Sequence, residues 1–234
     1  MMMQLFPEGF EEREEADGVE LAAYTDGRGE ERLWQVFGAA QTTPVADDWA
    51  ERWRTFHKPV RVGPFWVGPP WLEPDEDSIP LVVEPGRAFG TGAHPTTRLC
   101  LEILLGLERG SLLDVGCGSG VLAIGAAKLG FDPVVALDSD PAAVEATEAN
   151  ALANGVTVDV RLVDAVAPRA DLPAASVCVA NIAYDTVVRL GPQLKFPLFI
   201  ASGYLEADQP APPGFRLVRR YGAEGWAADL FARE

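Results

Sequence analysis

The sequence predicts an α/β fold built on a doubly wound, mostly parallel sheet, preceded by a small and shortened α+β domain. Two strand–turn–helix units support this prediction. In the first, an apolar run ends at the acidic residue Asp114, and a glycine-rich turn leads into an apolar helix at 121–129. In the second, the run 134–137 ends at an acidic residue, and a capped helix follows as far as residue 153.

The turn after the first strand has the spacing Asp-x-Gly-x-Gly-x-Gly. Glycines there permit positive φ angles and let a ligand approach the backbone, while the next helix N-terminus adds free N–H groups. The spacing resembles the S-adenosylmethionine turn of class I methyltransferases more than the Gly-x-Gly-x-x-Gly of dinucleotide enzymes. We therefore predict cofactor contacts at the four residues that define the spacing: Asp114, Gly116, Gly118 and Gly120.

The second strand ends at Asp138, about 20 residues after the glycine turn, where a carboxylate can accept hydrogen bonds from both ribose hydroxyls of a nucleoside. The alternative is an ordinary loop carboxylate without a ligand. We predict cofactor contacts at Asp138 and its neighbour Ser139. The following acidic residue, Asp140, is better explained as the N-cap of a helix that begins at Pro141.

Two further strands end in polar residues. The run 156–163 ends at Asp164, and the run 176–180 ends at Asn181. In class I methyltransferases a residue placed like Asp164 usually meets the adenine amino group, although a strand-end Asp also often caps the next turn. Because ligands of open α/β sheets bind beyond the carboxyl ends of the strands, we expect four positions to converge on one crevice: Gly116, Asp138, Asp164 and Asn181.

The formal charge of −16 argues against direct contact with nucleic acid, because such contact needs a basic surface. An acidic protein suits a basic protein partner, since complementary electric fields speed their encounter. Equally, the charge can serve solubility alone or reflect a salt-rich habitat.

Cysteine and histidine usage indicates a reduced, cytoplasmic protein without a metal site. The three cysteines, Cys100, Cys117 and Cys178, fit neither a disulfide framework nor a metal centre. Two histidines, His57 and His94, are too few for a multi-histidine metal site. No apolar run approaches the roughly 20 residues that span a membrane, and the N-terminus lacks the features of a signal peptide.

We expect three segments: a small domain at 1–55, a linker at 56–80 and the α/β domain at 81–234. The first segment carries weak signals for regular structure: strands at 19–24 and 32–37 and a short helix at 48–53. Prolines and glycines exclude long helices from the linker, which is predicted to hold one strand at 60–67. We expect its tryptophans to pack the linker onto the next domain, the alternative being a partner groove: Trp53, Trp66 and Trp71.

The stretch 81–98 contains a strand, a loop rich in glycine and hydroxyl side chains, and the start of a helix at 97–107. Helices before the first strand of such a domain typically close over the cofactor. A structural turn with a capping threonine is the alternative. We predict three cofactor contacts in the loop: Phe89, Gly90 and Thr91.

The loop pattern Ala-Phe-Gly-Thr-Gly-x-His, with the runs 84–98, 113–124 and 181–182, resembles the PrmA family over residues 45–205. This family methylates the ribosomal protein numbered eleven of the large subunit. The resemblance implies a Rossmann-like class I fold with a seven-stranded sheet, S-adenosyl-L-methionine as cofactor, and a basic ribosomal protein as partner. It also implies methylation of lysine side chains and of the N-terminal α-amine. By motif position, the family's cofactor contacts fall on four residues: Thr97, Gly116, Asp138 and Asn181.

The ends of the chain depart from the family pattern. The N-terminal domain, which recognises the substrate in that family, is expected to be shortened here, without its first strand and most of its first helix. Residues 206–214 leave little room for the expected last helix. The segments 215–218 and 226–231 are predicted to form a closing antiparallel hairpin.

Methyl transfer is an in-line displacement, so the enzyme mostly positions its reactants. Asn181 is predicted to orient the attacking amine through its side-chain carbonyl. Tyr184 is predicted to line one side of the path along which the methyl group is transferred. His94 is a candidate proton acceptor, although no strong general base is required. Asp185 is not expected against the amine, because a carboxylate would raise the amine pKa.

Two other functions stay open. The Asn-x-x-Tyr spacing of Asn181 and Tyr184 is typical of amide and nucleic-acid amine methyltransferases, although the prolines of their Asn-Pro-Pro-Tyr motif are missing. The shortened N-terminal domain also fits a module that binds the cofactor without transferring methyl. Labelled glutamine, or no label despite cofactor binding, would distinguish these from a lysine methyltransferase.

Overall fold

The computed structural model describes residues 11–15, 18–22, 33–37, 40, 58–85, 92–167 and 170–234. The chain divides into two compact units, residues 1–53 and 54–234. The helix predicted at 48–53 and the loop residues Phe89, Gly90 and Thr91 lie outside the described ranges. Among the helices that are described, none is long and apolar enough to cross a membrane.

The described part of the first unit is a hairpin and one helical turn. Strands β1 (Glu11–Glu15) and β2 (Gly18–Ala22) pair antiparallel, and β2 overlaps the strand predicted at 19–24. Residues 33–37 are helical, so the strand predicted at 32–37 is wrong. Apolar and aromatic residues favour a strand only where a pleated surface packs them. Here the large side chains are half-exposed instead: Trp34, Val36 and Phe37.

The second unit begins with a small sheet in the order β3-β4-β5. Strands β3 (Val60–Val62) and β4 (Phe65–Gly68) form an antiparallel hairpin, and β5 (Ile79–Val82) lies parallel to β4. The single strand predicted at 60–67 is therefore wrong, because the chain reverses at Gly63, whose φ is 53°. The segment expected as a linker thus carries a sheet, and its buried side chains join the main core: Phe65, Val67 and Leu81.

The main sheet has seven strands in the order β11-β12-β10-β9-β6-β7-β8. It is parallel except for β12, which runs antiparallel to both of its neighbours. The strands are β6 (Leu112–Val115), β7 (Val134–Asp138), β8 (Asp159–Leu162), β9 (Val177–Asn181), β10 (Leu198–Leu205), β11 (Phe215–Ala223) and β12 (Trp226–Arg233). The predicted doubly wound, mostly parallel sheet is confirmed.

Four helices accompany this sheet: α1 (Pro95–Leu105), α2 (Val121–Leu129), α3 (Pro141–Ala153) and α4 (Tyr184–Leu190). Local signals start two of them. His94 and Asp140 are N-caps whose side chains each accept a backbone N–H, and proline occupies the first turn in both cases. The first of these helices therefore begins at Pro95, two residues before the predicted start.

Both faces of the main sheet are buried. Neighbouring side chains of β6 point to opposite faces, so Leu112 belongs to one core cluster and Leu113 to the other. The first cluster holds side chains of the small sheet, α1 and α2, among them Phe65, Leu101 and Ile124. The second holds side chains of α4, β10 and β12, among them Leu190, Phe199 and Phe231. Burial on both faces explains the apolar run 177–180 of β9 and the apolar residues on either side of Asp114 in β6.

The carboxyl end of the chain closes the sheet as an antiparallel hairpin, β11–β12, and this confirms the pairing predicted for 215–218 with 226–231. Both strands are longer than predicted. Residues 206–214, which are all described, contain no helix. The hairpin turns at Glu224 and Gly225, both with positive φ, at 54° and 81°.

Candidate functional site

A crevice of about 580 Å³ opens at the carboxyl ends of β6, β7 and β9. This volume is within the range that small-molecule ligands occupy in proteins. Parallel strands bring their ends to one edge, so residues far apart in sequence meet there. Seven of the predicted site residues line the crevice: Thr97, Gly116, Gly118, Asp138, Ser139, Asp164 and Asn181.

The glycine turn lies so close to its neighbours that larger residues would collide. A Cβ on Gly116 would lie 2.4 Å from Cγ2 of Ile182, and φ at Gly116 is 72°. The backbone N–H groups of Gly116 and Cys117 donate to the carbonyl of Leu137, at 2.8 and 3.1 Å. These bonds hold the turn against β7. Glycine is needed at position 116 because of its positive φ and the close approach of Ile182.

Asp138 organises the turn as well as facing the crevice. Its Oδ2 accepts a hydrogen bond from the N–H of Gly118, and its Oδ1 accepts one from the N–H of Asp140, each at 3.0 Å. Each carboxylate oxygen has further lone pairs. The residue therefore serves as a loop carboxylate and keeps acceptor capacity for ligand hydroxyls.

Asp164 accepts a hydrogen bond from the N–H of Val166 at 3.1 Å and also lines the crevice. This bond caps the turn after β8, which was the alternative role considered for Asp164. Because an ionised carboxylate has two acceptor oxygens, the cap does not prevent contact with a ligand amino group.

Asn181 and Thr97 meet although 84 residues separate them in sequence. Nδ2 of Asn181 donates to Oγ1 of Thr97 at 3.3 Å. Oδ1 of Asn181 is buried and has no hydrogen-bond partner among the described residues. A buried amide oxygen without a partner is costly, so a donor supplied by a ligand would relieve that cost.

Asp114 lies in β6, directly before the glycine turn, and is 1% exposed. Its Oδ2 accepts the N–H of Ala123 at 3.1 Å, while Oδ1 has no partner among the described residues. Burial raises the pKa of Asp114 to about 7, against the opposing effect of the Ala123 hydrogen bond. The carboxyl group therefore titrates close to neutral pH.

Comparison with known proteins now identifies the family. Residues 10–226 match the family described as ribosomal protein L11 methyltransferase (PrmA). The chain belongs to the PrmA family. This confirms the resemblance seen in the glycine-rich loop and the cofactor turn.

One curated PrmA relative is the ribosomal protein L11 methyltransferase of Symbiobacterium thermophilum. It is 41% identical over 197 residues, which are 80% of this chain and 62% of the relative. The chain thus spans less than two thirds of that relative's length.

Solved structures show the same fold. The ribosomal protein L11 methylase of Lactobacillus delbrueckii subsp. bulgaricus is 27% identical with a TM-score of 0.67, covering 75% of this chain and 98% of that one. The tRNA (uracil-54, C5)-methyltransferase of Pyrococcus abyssi, solved with S-adenosyl-L-homocysteine, is 15% identical with a TM-score of 0.52. The match covers 76% of this chain and 44% of that one, and at this identity it shows a shared fold alone.

Four residues predicted for the site lie elsewhere in this PrmA family member. Asp114 is buried in β6, and Gly120 is the N-cap of α2. His94 caps α1, and its Nδ1 lies 2.7 Å from Oγ1 of Thr96. Burial lowers the pKa of the His94 imidazole, and the positive charge of Arg98 lowers it further. Tyr184 begins α4, and its ring stands edge-on to that of Tyr204 at 6.1 Å. The catalytic roles of His94 and Tyr184 stay predictions.

The contribution of α4 was not predicted from the sequence. Thr186 and Arg189 line the crevice from this helix, and Arg189 is the one cationic side chain among the described residues that line it. Positions three apart share a helix face. The spacing of these two residues, soon after the strand end at Asn181, was the available signal.

Proposed function

We propose that this chain is an S-adenosylmethionine-dependent protein methyltransferase that methylates amino groups of the large-subunit ribosomal protein L11. Lysine side chains and the N-terminal amine are the proposed acceptors, and the cytoplasm is the proposed compartment. The observation that carries the proposal is the unpartnered Oδ1 of Asn181 in the crevice. We further propose that the first compact unit recognises the substrate.

The crevice suits a nucleoside cofactor. Gly116 and Gly118 leave room beside a backbone that a ligand can approach, and Asp138 keeps acceptor capacity for ribose hydroxyls. Ser139 and Asp164 line the same space, Asp164 being proposed to meet the adenine amino group. When bound, S-adenosylmethionine supplies a methyl group on a positively charged sulfur.

The target amine must be neutral to attack. With a pKa near 10.4, about one free lysine in 2,500 is neutral at pH 7, whereas about a tenth of α-amines with a pKa near 8 are neutral. Oδ1 of Asn181 would accept an N–H from the neutral amine and so direct the nitrogen lone pair at the methyl carbon. The protonated amine first releases a proton to solvent. The neutral nitrogen then forms the new C–N bond as the C–S bond breaks, and the product is a methylammonium group.

Two properties of the site support this role for Asn181. An amide oxygen carries no net charge, so it orients an amine without raising the amine pKa as a carboxylate would. The bond from Nδ2 to Thr97 fixes which way the amide faces. Because His94 caps α1 and does not line the crevice, solvent is the proposed proton acceptor.

The test is transfer of radiolabelled methyl groups from S-adenosylmethionine to purified ribosomal protein L11, followed by mass mapping. We expect label on lysine or on the N-terminal amine, and loss of label with Asn181→Ala. Cofactor binding without any labelled product would contradict the proposed transfer activity and favour a binding module.

A second candidate has one specific observation in its favour. Asn181 ends β9 and Tyr184 begins α4, so the Asn-x-x-Tyr pattern lies on the strand-to-helix connection beside the crevice. An amide or nucleobase amine can also donate to Oδ1 of Asn181. Label on glutamine, or on nucleic acid, in the same assay would support this candidate and contradict the first.

A further inference from the structure

One face of α3 carries three polar side chains that all bind backbone outside the helix. Thr147, Asn150 and Asn154 follow one another at helical spacings of three and four residues, and so they share a face. Thr147 is fully buried and Asn150 is 5% exposed. Polar groups buried to this degree need partners, so this face specifies what packs against it.

Two of these side chains hold successive carbonyls of the glycine turn. Oγ1 of Thr147 donates to the carbonyl of Gly118 at 2.9 Å, and Nδ2 of Asn150 donates to the carbonyl of Ser119 at 2.8 Å. The C=O and N–H of one trans peptide unit point in opposite directions. Fixing these carbonyls therefore fixes the direction of the N–H groups that follow them.

The same face of α3 also binds the end of β5 and the residues after it. The side-chain amide of Asn154 binds both backbone groups of Val82. Its Oδ1 accepts the N–H of Val82 at 3.0 Å, and its Nδ2 donates to the carbonyl of Val82 at 2.6 Å. Oδ1 of Asn150 accepts the N–H of Glu84 at 3.2 Å. Asn150 is therefore bonded on both sides, to Glu84 through its oxygen and to Ser119 through its nitrogen.

We propose that Asn150 is a positioning residue for the cofactor turn, coupling that turn to the backbone at Glu84. The proposal rests on the proposed function, because it takes the turn to be the place where the cofactor binds. Asn154 anchors β5 through both backbone groups of Val82, and its Nδ2 also donates to the carbonyl of Asn150 at 2.8 Å. In the part of the chain that the structure describes, only Asn150 joins the two segments through a single amide group. Movement of the turn is therefore coupled to movement at Glu84, and the coupling acts in both directions.

The chain offers a matched pair of variants, Asn150→Asp and Asn154→Asp. Both keep side-chain shape and an acceptor oxygen for the N–H of Glu84 or Val82. Both replace a donor amide with a carboxylate that faces a carbonyl. Only in Asn150→Asp does the lost donor reach the glycine turn, at Ser119.

Calorimetric binding of S-adenosyl-L-homocysteine to the full chain is the first readout. We expect Asn150→Asp to weaken binding about tenfold, the effect of losing one buried hydrogen bond, and Asn154→Asp to change it less than about twofold. In the methyl-transfer assay, Asn150→Asp should raise the KM for the cofactor while kcat at saturation stays within about twofold of the parent. Equal losses in both variants, or unchanged binding in Asn150→Asp, would overturn the proposal.

Amide hydrogen exchange on the ligand-free chain is the second readout and needs no cofactor. We expect faster exchange across residues 116–120 in Asn150→Asp and parent-like exchange there in Asn154→Asp. Unchanged exchange across the turn in Asn150→Asp would overturn the positioning role. If the parent chain bound no cofactor, the proposed function would fail while this comparison still judged the role of Asn150.

Discussion

Among the described residues, buried polar groups at the hairpin end of the main sheet have hydrogen-bond partners for all their oxygens, whereas some of those near the glycine turn and the crevice do not. Asp229, in β12, is 1% exposed. Each of its carboxylate oxygens accepts a hydrogen bond from the guanidinium of Arg220 at 2.8 Å, and Oδ2 also accepts one from the hydroxyl of Tyr204 at 3.0 Å. Asp114, in β6, is equally buried, yet one of its oxygens has no partner among the described residues.

Neutral groups repeat the contrast. Ser202, in β10, is fully buried and donates to the carbonyl of Ala227 at 2.7 Å. Asn181, at the end of the neighbouring strand, has a buried oxygen that no described residue contacts with a hydrogen bond. Polar groups that the protein satisfies itself contribute stability and specify packing, whereas the open oxygen of Asn181 belongs to a residue that lines the crevice and can accept from a ligand. Variants at the hairpin should therefore change folding, and variants at the crevice should change binding and turnover.

The largest effect is expected from Asp229→Ala. Removing this carboxylate leaves the guanidinium of Arg220, which is 27% exposed, without its ion pair. We expect a loss of about 3–5 kcal/mol in the free energy of unfolding, measured by urea denaturation. Cofactor affinity per folded molecule should not change. A loss below about 1 kcal/mol would contradict the importance given to this ion pair.

Asp114→Asn should change how stability depends on pH. Burial raises the pKa of Asp114 from 3.8 to about 7, so between these pH values the folded chain keeps a proton that the unfolded chain has released. Stability of the parent chain must then fall as pH rises through this window. Relative to the parent, the variant should gain about 3 kcal/mol between pH 5 and pH 8.

The measurement for Asp114→Asn is urea unfolding across that pH range. Asparagine keeps the oxygen that accepts the N–H of Ala123, so the glycine turn should retain its geometry. Parallel pH profiles for the two chains would contradict a raised pKa at this position.

Asn181→Ala tests the open acceptor at the crevice. We expect kcat to fall about 100-fold, because an amine that is not oriented rarely presents its lone pair to the methyl carbon. The KM for the cofactor should change much less, and the free energy of unfolding should not fall. Steady-state kinetics with both substrates varied would show this difference, and equal losses in cofactor affinity and turnover would indicate a structural role only.

Asp138→Ala tests the ribose contact. We expect cofactor binding to weaken by about 1–3 kcal/mol, because ligand hydroxyls would lose their acceptor and the N–H of Gly118 would lose its partner. Isothermal calorimetry measures this directly. Unchanged affinity would remove Asp138 from the proposed cofactor site.

The smallest effect is expected from Glu224→Gln, the control for Asp229→Ala. Glu224 pairs with Arg98 at 2.5 Å, but its side chain is 66% exposed. Solvent-exposed ion pairs contribute little, so we expect a loss below about 1 kcal/mol in urea denaturation. A loss of unfolding free energy as large as that of Asp229→Ala would contradict the expected difference between the exposed and the buried ion pair of this hairpin.

Much of the crevice could be predicted because its signals are local. The glycine spacing, the strand-end Asp138 and the Asp140–Pro141 helix start each depend on a few neighbouring residues, and each lies where it was predicted. Prediction failed where a local signal was overlooked. The run 60–67 is a hairpin because the chain reverses at Gly63, directly before Pro64, and a Gly-Pro pair is typical of a turn.

The order of strand, turn and helix, and the edge of the sheet where polar residues gather, follow from the amino-acid sequence. Periodicity, caps and glycine turns are properties of short segments, and parallel strands must end at a common edge. Three contacts depend on how the elements pack: Thr97 binds the amide of Asn181, Asn150 joins Glu84 to Ser119, and Asp229 is the buried carboxylate that pairs with an arginine. These contacts join residues distant in sequence, so they exist only once the elements have packed.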